Sequence, residues 1–171
     1  MISGELYKVE EYNTAGNLLR STRFGYDSIY RRNIIITRSI SGVGDFDQSF
    51  VYDPQGRLLS TTYPGGESLY YQYMLTGALQ KMCSAESCDP LTSEVYYSID
   101  PSTAFDVNGS LLAENYGNGV VKNYTYYPIS HRVASFNLHK GSTVYSERQY
   151  QYDIYTNITA LTDPLNLEGT G

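Results

Sequence analysis

The sequence predicts an all-β protein built from antiparallel hairpins repeated along the chain, forming a curved sheet. Three observations carry that expectation: a composition dominated by tyrosine, a recurring frame of aromatics, turn and leucine, and the absence of a helical stripe. The 171 residues contain 19 Tyr and 5 Phe but no Trp. Tyr favours strands, and its hydroxyl can stay wet while its ring packs. Fifteen Gly and six Pro are scattered along the chain, as many separate turns require. No long stretch places apolar residues at i, i+3, i+4 and i+7, the pattern of a helix with one buried face.

The elements follow one frame, clearest in FVYDPQGRLL at residues 50–59. Phe50 and Tyr52 lie two apart and therefore on one face of a strand. Asp53-Pro54-Gln55-Gly56 fits a type I turn, with the Asp side chain closing it and Pro presetting φ. Gly56 permits the positive φ of a short hairpin, and Leu58 starts the return strand. In chain order the frame first occurs in EEYNTAGNLL, with Tyr12, Gly16 and Leu18. FGYDSIY, with Phe24, Tyr26 and Asp27, reads as a degraded copy without the glycine.

After the central copy, YQYMLTGAL supplies Tyr71, Tyr73, Gly77 and Leu79. AFDVNGSLL supplies Phe105, Asp106, Gly109 and Leu111. YTYYPISHRV has Tyr124 and Tyr126 but is one residue longer before Val133. YQYDIYTNI has Tyr150, Tyr152, Asp153 and Ile158, with Thr156 in the glycine slot. Between frames, YPGGESLYY (63–71) and YGNGVVKNY (116–124) share Tyr, two glycines and a strand ending in Tyr. Each reads as the turn from a return strand into the next aromatic strand.

The spacing defines units anchored near 12, 52, 73, 105, 126 and 152 in a single repeat segment, 1–171. Tyr52 to Tyr73 and Phe105 to Tyr126 are both 21 residues. Tyr12 to Tyr52 is 40, close to two units. Tyr73 to Phe105 is 32, which implies an insertion over about 80–100, and Tyr126 to Tyr152 is 26, another short insertion. Such a period signals an array. One hairpin is marginal in water, so neighbours must pair edge to edge. The two cysteines, Cys83 and Cys88, fall in the insertion and are either two free thiols in a loop or a local disulfide.

Tyr-x-Tyr-Asp-x-x-Gly-Arg-Leu resembles the signature of the YD, or RHS, repeat, and FVYDPQGRLL is close to its consensus. RLLSTTYPGGESLYYQY and ENYGNGVVKNYTYYP look like linked units of that family, which includes RHS proteins, shell chains of insecticidal toxin complexes and the teneurins. Met74 and Tyr127 stand where the family prefers Asp, and Thr156 where it prefers Gly. The resemblance implies a β-ribbon wound into a hollow shell around a C-terminal toxic segment. This chain would be a portion of such a wall. Its partners would be the enclosed cargo and neighbouring YD repeats, in a larger secreted or cell-surface protein.

Other functions find little support. The net charge is −6, and Arg31-Arg32 is the densest basic pair, so no positive field suits nucleic acid. The longest aliphatic run, Ile34-Ile35-Ile36, is far short of a membrane span, and Met1 to Glu11 lacks the pattern of a signal peptide. No catalytic elbow or phosphate loop occurs. Asp45 and Asp47 in GVGDFD read as a solvated hairpin loop, and His131 and His139 as solvated loop residues, so no metal, cofactor or enzymatic activity is expected. Rows of tyrosine can also stack on sugars. A carbohydrate- or cell-surface-binding module is therefore the alternative reading, to be decided by how Tyr71, Tyr73, Tyr124 and Tyr126 pack.

Overall fold

The computed structural model describes residues 4–165. It has thirteen strands, antiparallel to their partners within each of two units, and no helix occurs among the described residues. Strand order in the sheet is strand order in the chain, from β1 to β13, so the connectivity is a plain meander. The chain divides into two compact units. The first runs as far as Tyr71 and takes in Ser84–Ser87; the second holds Gln72–Cys83 and the chain from Cys88 onward.

The first unit contains β1 (Lys8–Tyr12), β2 (Leu18–Tyr26), β3 (Asn33–Ile40), β4 (Gly44–Tyr52), β5 (Leu58–Thr62) and most of β6 (Ser68–Tyr73). The second contains β7 (Leu79–Cys83), β8 (Val95–Ser98), β9 (Ala113–Tyr116), β10 (Val121–Tyr126), β11 (Val133–Lys140), β12 (Thr143–Tyr152) and β13 (Ile158–Thr162). The region read as an insertion thus includes two strands of the meander. The extra length sits in the connections 84–94 and 99–112. Phe105 lies outside the strands, held by a single bridge to Leu111.

One turn recurs. Asp53 N–H donates to the Arg57 carbonyl (2.9 Å) and Gly56 N–H to the Asp53 carbonyl (3.0 Å). The pairing slips by one residue at Tyr52, where it faces Leu58. This is a three-residue loop closed by a type I turn and a glycine bulge. The same bonds start from Asn13, Tyr63, Met74, Asp106, Tyr116 and Asp153. The YPGG stretch is therefore the same turn as the DPQG stretch, placed at the other end of the first unit, and the YGNG stretch forms the same turn in the second. Backbone bonds and a left-handed third residue make the turn, so Tyr or Met can hold the first place. Thr156 adopts φ 79° in the slot where Gly56 has 88°.

The two units share a plan. Tyr26, Arg32, Tyr52 and Asp53 recur as Tyr126, Arg132, Tyr152 and Asp153, each 100 residues on. The registers agree as well: Ile36 faces Gln48 as Phe136 faces Arg148, and Ser49 faces Thr62 as Gln149 faces Thr162. FGYDSIY and YTYYPISHRV end in the same longer loop, 27–32 and 127–132, with Arg31 (φ 57°) and His131 (φ 53°) supplying the left-handed residue. The supposed degraded copy is thus a regular member of the series. Alternate turns of a meander lie at opposite ends. The turns after Tyr26 and Tyr52 accordingly share an end of the first unit, while the turn after Tyr12 is at the other.

Side chains alternate between two unlike faces. In the second unit Tyr124 packs on Phe136 (ring centroids 6.4 Å apart), Phe136 on Tyr150 (6.3 Å) and Tyr150 on Tyr152 (6.5 Å), a continuous aromatic row. Its opposite face is polar: Thr125 meets Ser135 (2.7 Å) and Asn123 meets His139 (2.8 Å). In the first unit the corresponding polar pairs are Thr37 with Asp47 (2.6 Å) and Thr62 with Ser68 (2.8 Å). Full burial is rare. Among the described residues, the buried apolar side chains are Cys83, Cys88, Ile99 and Ala104, all in the connections and strand end around β7 and β8.

Candidate functional site

The residues singled out by the frame converge on the turns, and their groups are spent on the sheet itself. The last tyrosine of a strand reaches past the end of the ladder to a carbonyl of the preceding chain segment. Tyr26 donates to the Leu6 carbonyl (2.9 Å), Tyr126 to Leu111 (2.7 Å) and Tyr152 to Val133 (3.0 Å). Burial, followed by the fields of Asp106 and Glu114, raises the Tyr126 hydroxyl above its ordinary range and keeps it a donor. Tyr12, at the opposite end, is exposed.

The aspartates act as staples. Asp53 accepts from the Arg57 N–H (2.8 Å) and from Arg57 Nε (2.6 Å). Desolvation opposes its ionisation, but the Arg57 side chain and N–H outweigh it and hold the carboxyl below its usual range. Asp106 and Asp153 bond turn N–H groups in the same way, to Asn108 and Ser110 and to Tyr155 and Asn157. In the longer loop Asp27 takes the N–H groups of Ile29, Tyr30 and Arg32. Chiefly the Tyr30 N–H, then the Arg32 N–H and side chain, overcome desolvation and hold it down at about 2.

Sequence reasoning missed an arginine that ties one hairpin turn to the next. Arg32 donates Nη1 to the Asp53 carbonyl (3.2 Å), and its guanidinium lies over the Tyr52 ring (4.7 Å) and the Tyr30 ring (4.5 Å). It also pairs with Asp27 (3.2 Å). Arg132 repeats this with the Asp153 carbonyl (3.4 Å) and the Tyr152 ring (5.3 Å). The signal was available: Tyr26 to Tyr52 and Tyr126 to Tyr152 are both 26 residues, with an arginine six after the first tyrosine each time. Beside Arg132 opens a hollow of about 340 Å³ lined by Tyr127, Ser130, Arg132, Gln151 and Tyr152.

A second cluster lies on the aromatic face of the second unit. Glu114 accepts from the hydroxyls of Tyr124 (2.7 Å) and Tyr97 (3.1 Å), and Tyr97 sits edge-on to Tyr116 (6.0 Å). Desolvation and the Glu114 charge push the Tyr97 and Tyr124 hydroxyls far above their ordinary range. Lys122 Nζ lies 4.7 Å from the centres of both the Tyr124 and Phe136 rings. Four tyrosines proposed as sugar platforms, Tyr71, Tyr73, Tyr124 and Tyr126, are all half-buried.

Cys83 and Cys88 are joined in a disulfide, with Cα atoms 5.3 Å apart and both side chains buried. His139 is not a loop residue: it lies in β11, between Asn123 and the Gly141 carbonyl (3.2 Å). Asp45 and Asp47 likewise lie in β4. Among the described residues no group of three His, Cys, Asp or Glu is placed to hold a metal ion, and no helix is long and apolar enough to cross a membrane.

No protein-family profile matches the chain, and no curated protein matches its sequence. Solved structures do match. The Photorhabdus luminescens Tc holotoxin pore aligns over 96% of this chain and 9% of its own, at 17% identity and a TM-score of 0.64. The TcdB2–TccC3 structure aligns over 92% of this chain and 9% of its own, at 18% identity and a TM-score of 0.65. The TcdB2–TccC3–Cdc42 structure aligns over the same shares at 18% identity and a TM-score of 0.64. The chain thus spans about a tenth of the length of the chains it matches. At these identities the likeness is one of fold.

Proposed function

We propose that this chain is a non-enzymatic stretch of wall in a YD/RHS-type container that encloses a toxin or related secreted cargo, within a longer polypeptide that works outside the cell making it. The observation behind this reading is an open meander whose edges ask for more hairpins. Thr61 in β5, covered by β6, is 3% exposed; Leu161, at the same place in β13, is 58% exposed. Free strand edges are a liability unless something pairs with them. The partners are accordingly further YD hairpins on either side and the cargo they surround. The polar groups of the repeated turns are committed to holding hairpins together, which supports a structural role.

The reading frame on both sides tests this. Further YD frames and a C-terminal domain beyond them are expected, and in the intact protein that domain should resist protease until the repeats are cut. A frame with no further hairpins on either side would overturn the proposal. The alternative, a module binding carbohydrate or a cell surface through its tyrosine row, is weakened by the packing. The Tyr124 and Tyr126 hydroxyls are bonded internally, and Tyr124 is covered by Lys122 on its ring. Glycan-array binding that disappears with Tyr71→Ala and Tyr124→Ala would restore it.

A further inference from the structure

The two units provide their own comparison. In the first, the guanidinium of Arg32 is neutralised by Asp27, 3.2 Å away. In the second, the residue in Asp27's place is Tyr127, and its hydroxyl is donated to the Tyr150 carbonyl (2.8 Å). Arg132 keeps its bond to the Asp153 carbonyl, but among the described residues no carboxylate pairs with it. Asp153 feels the Arg132 charge but bonds the N–H groups of Tyr155 and Asn157 and the Asn157 side chain instead. Loss of the aspartate thus leaves a half-buried cation facing the hollow it lines.

We propose that this hollow binds the carboxylate of an acidic sugar, a single hexuronate-type ring. A guanidinium presents a planar fork of donors that matches a carboxylate with two parallel bonds. A volume of about 340 Å³ is at the small end for ligand sites and has room for one ring. Tyr127 and Tyr152 meet edge-on, with planes at 83° and centroids 6.1 Å apart, so two aromatic walls form a corner beside Arg132. The Tyr152 ring already carries Tyr150 and the Arg132 guanidinium, so the exposed Tyr127 ring is the one that offers apolar surface to the C–H face of a sugar. Ser130 and Gln151 add a hydroxyl and an amide, able to donate to and accept from sugar hydroxyls. The site does not depend on the container reading, because it is built from one pair of hairpins.

Saturation-transfer NMR on the 171-residue chain tests it, with glucuronate as probe and glucose, acetate and inorganic phosphate as comparisons. Saturation transfer to the glucuronate ring protons is expected at millimolar concentration, with little to glucose or acetate. Tyr127→Asp restores the pairing that the first unit folds with, and should abolish the signal while circular dichroism stays unchanged. Arg132→Gln should abolish it too. No transfer to glucuronate in the unsubstituted chain, equal effects with glucose, competition by phosphate at equal strength, or a signal that survives Tyr127→Asp would each overturn the proposal.

Discussion

Thr156→Gly isolates the physical reason for the glycine in the repeated turn. Thr156 holds φ 79°, a left-handed conformation that a β-branched residue rarely adopts. Its side chain is exposed and makes no hydrogen bond among the described residues; its N–H bonds the Asp153 carbonyl at 3.2 Å, which glycine would keep. The left-handed conformation costs roughly 1–2 kcal/mol, and glycine returns roughly 0.4–1 kcal/mol of that by loosening the unfolded chain. The net expectation is a β12–β13 hairpin more stable by about 0.5–1 kcal/mol. The hairpin opens at the edge of the sheet, so hydrogen exchange of the β13 amides bonded to β12 is the suitable readout. Those amides should exchange about two to five times more slowly, since 1.4 kcal/mol corresponds to tenfold. Gly56→Thr should weaken the β4–β5 hairpin by a similar amount. Unchanged or faster exchange in Thr156→Gly would refute the view that the glycine slot is there to relieve backbone strain.

Three more outcomes follow from the same geometry. A Cβ on Gly117 would run into the Val95 carbonyl and lie 3.1 Å from Tyr96 Cα, so Gly117→Ala should cost about 1–3 kcal/mol of stability, read as a lower urea midpoint, whereas Gly65→Ala, with open space around it, should leave the midpoint unchanged. Reducing Cys83–Cys88, five residues apart in sequence, reopens a small ring and should cost about 2 kcal/mol, read as a shift in the unfolding midpoint with and without reductant. Asp27 is held at about 2 in the folded chain against an ordinary value near 4. Its folded pKa is the lower one, so its contribution is complete above about pH 4 and fades as pH falls toward about 2. Asp27→Asn should make stability fall less steeply across that window, and an identical slope in both proteins would refute the assignment.

The repeat was legible because its local rules are local chemistry. Phe50 and Tyr52 share a face by strand geometry, and Gly16, Gly56, Gly77 and Gly109 all adopt the positive φ that their place in the turn requires. Direction was not legible. The turns after Tyr12 and Tyr52 use the same residue types, yet they lie at opposite ends of the first unit, because a meander must close tightly at both. The turns at Tyr63 and Tyr116 were read as a separate element, although the backbone bonds are those of Asp53. The longer loops at 27–32 and 127–132 escaped a glycine-based frame because Arg31 and His131 take the left-handed place.

Composition, period and turn residues by themselves determined that this chain is an all-β meander of hairpins, since each hairpin is specified within about twenty residues of sequence. Only the tertiary structure decided which residues from different hairpins meet. Arg32 and Asp53, or Arg132 and Tyr152, are brought together by strand pairing across roughly twenty residues of intervening chain. Whether such an arginine is neutralised or left facing a hollow depends on one side chain, Asp27 or Tyr127. Its consequence exists only once the loop has folded around the guanidinium.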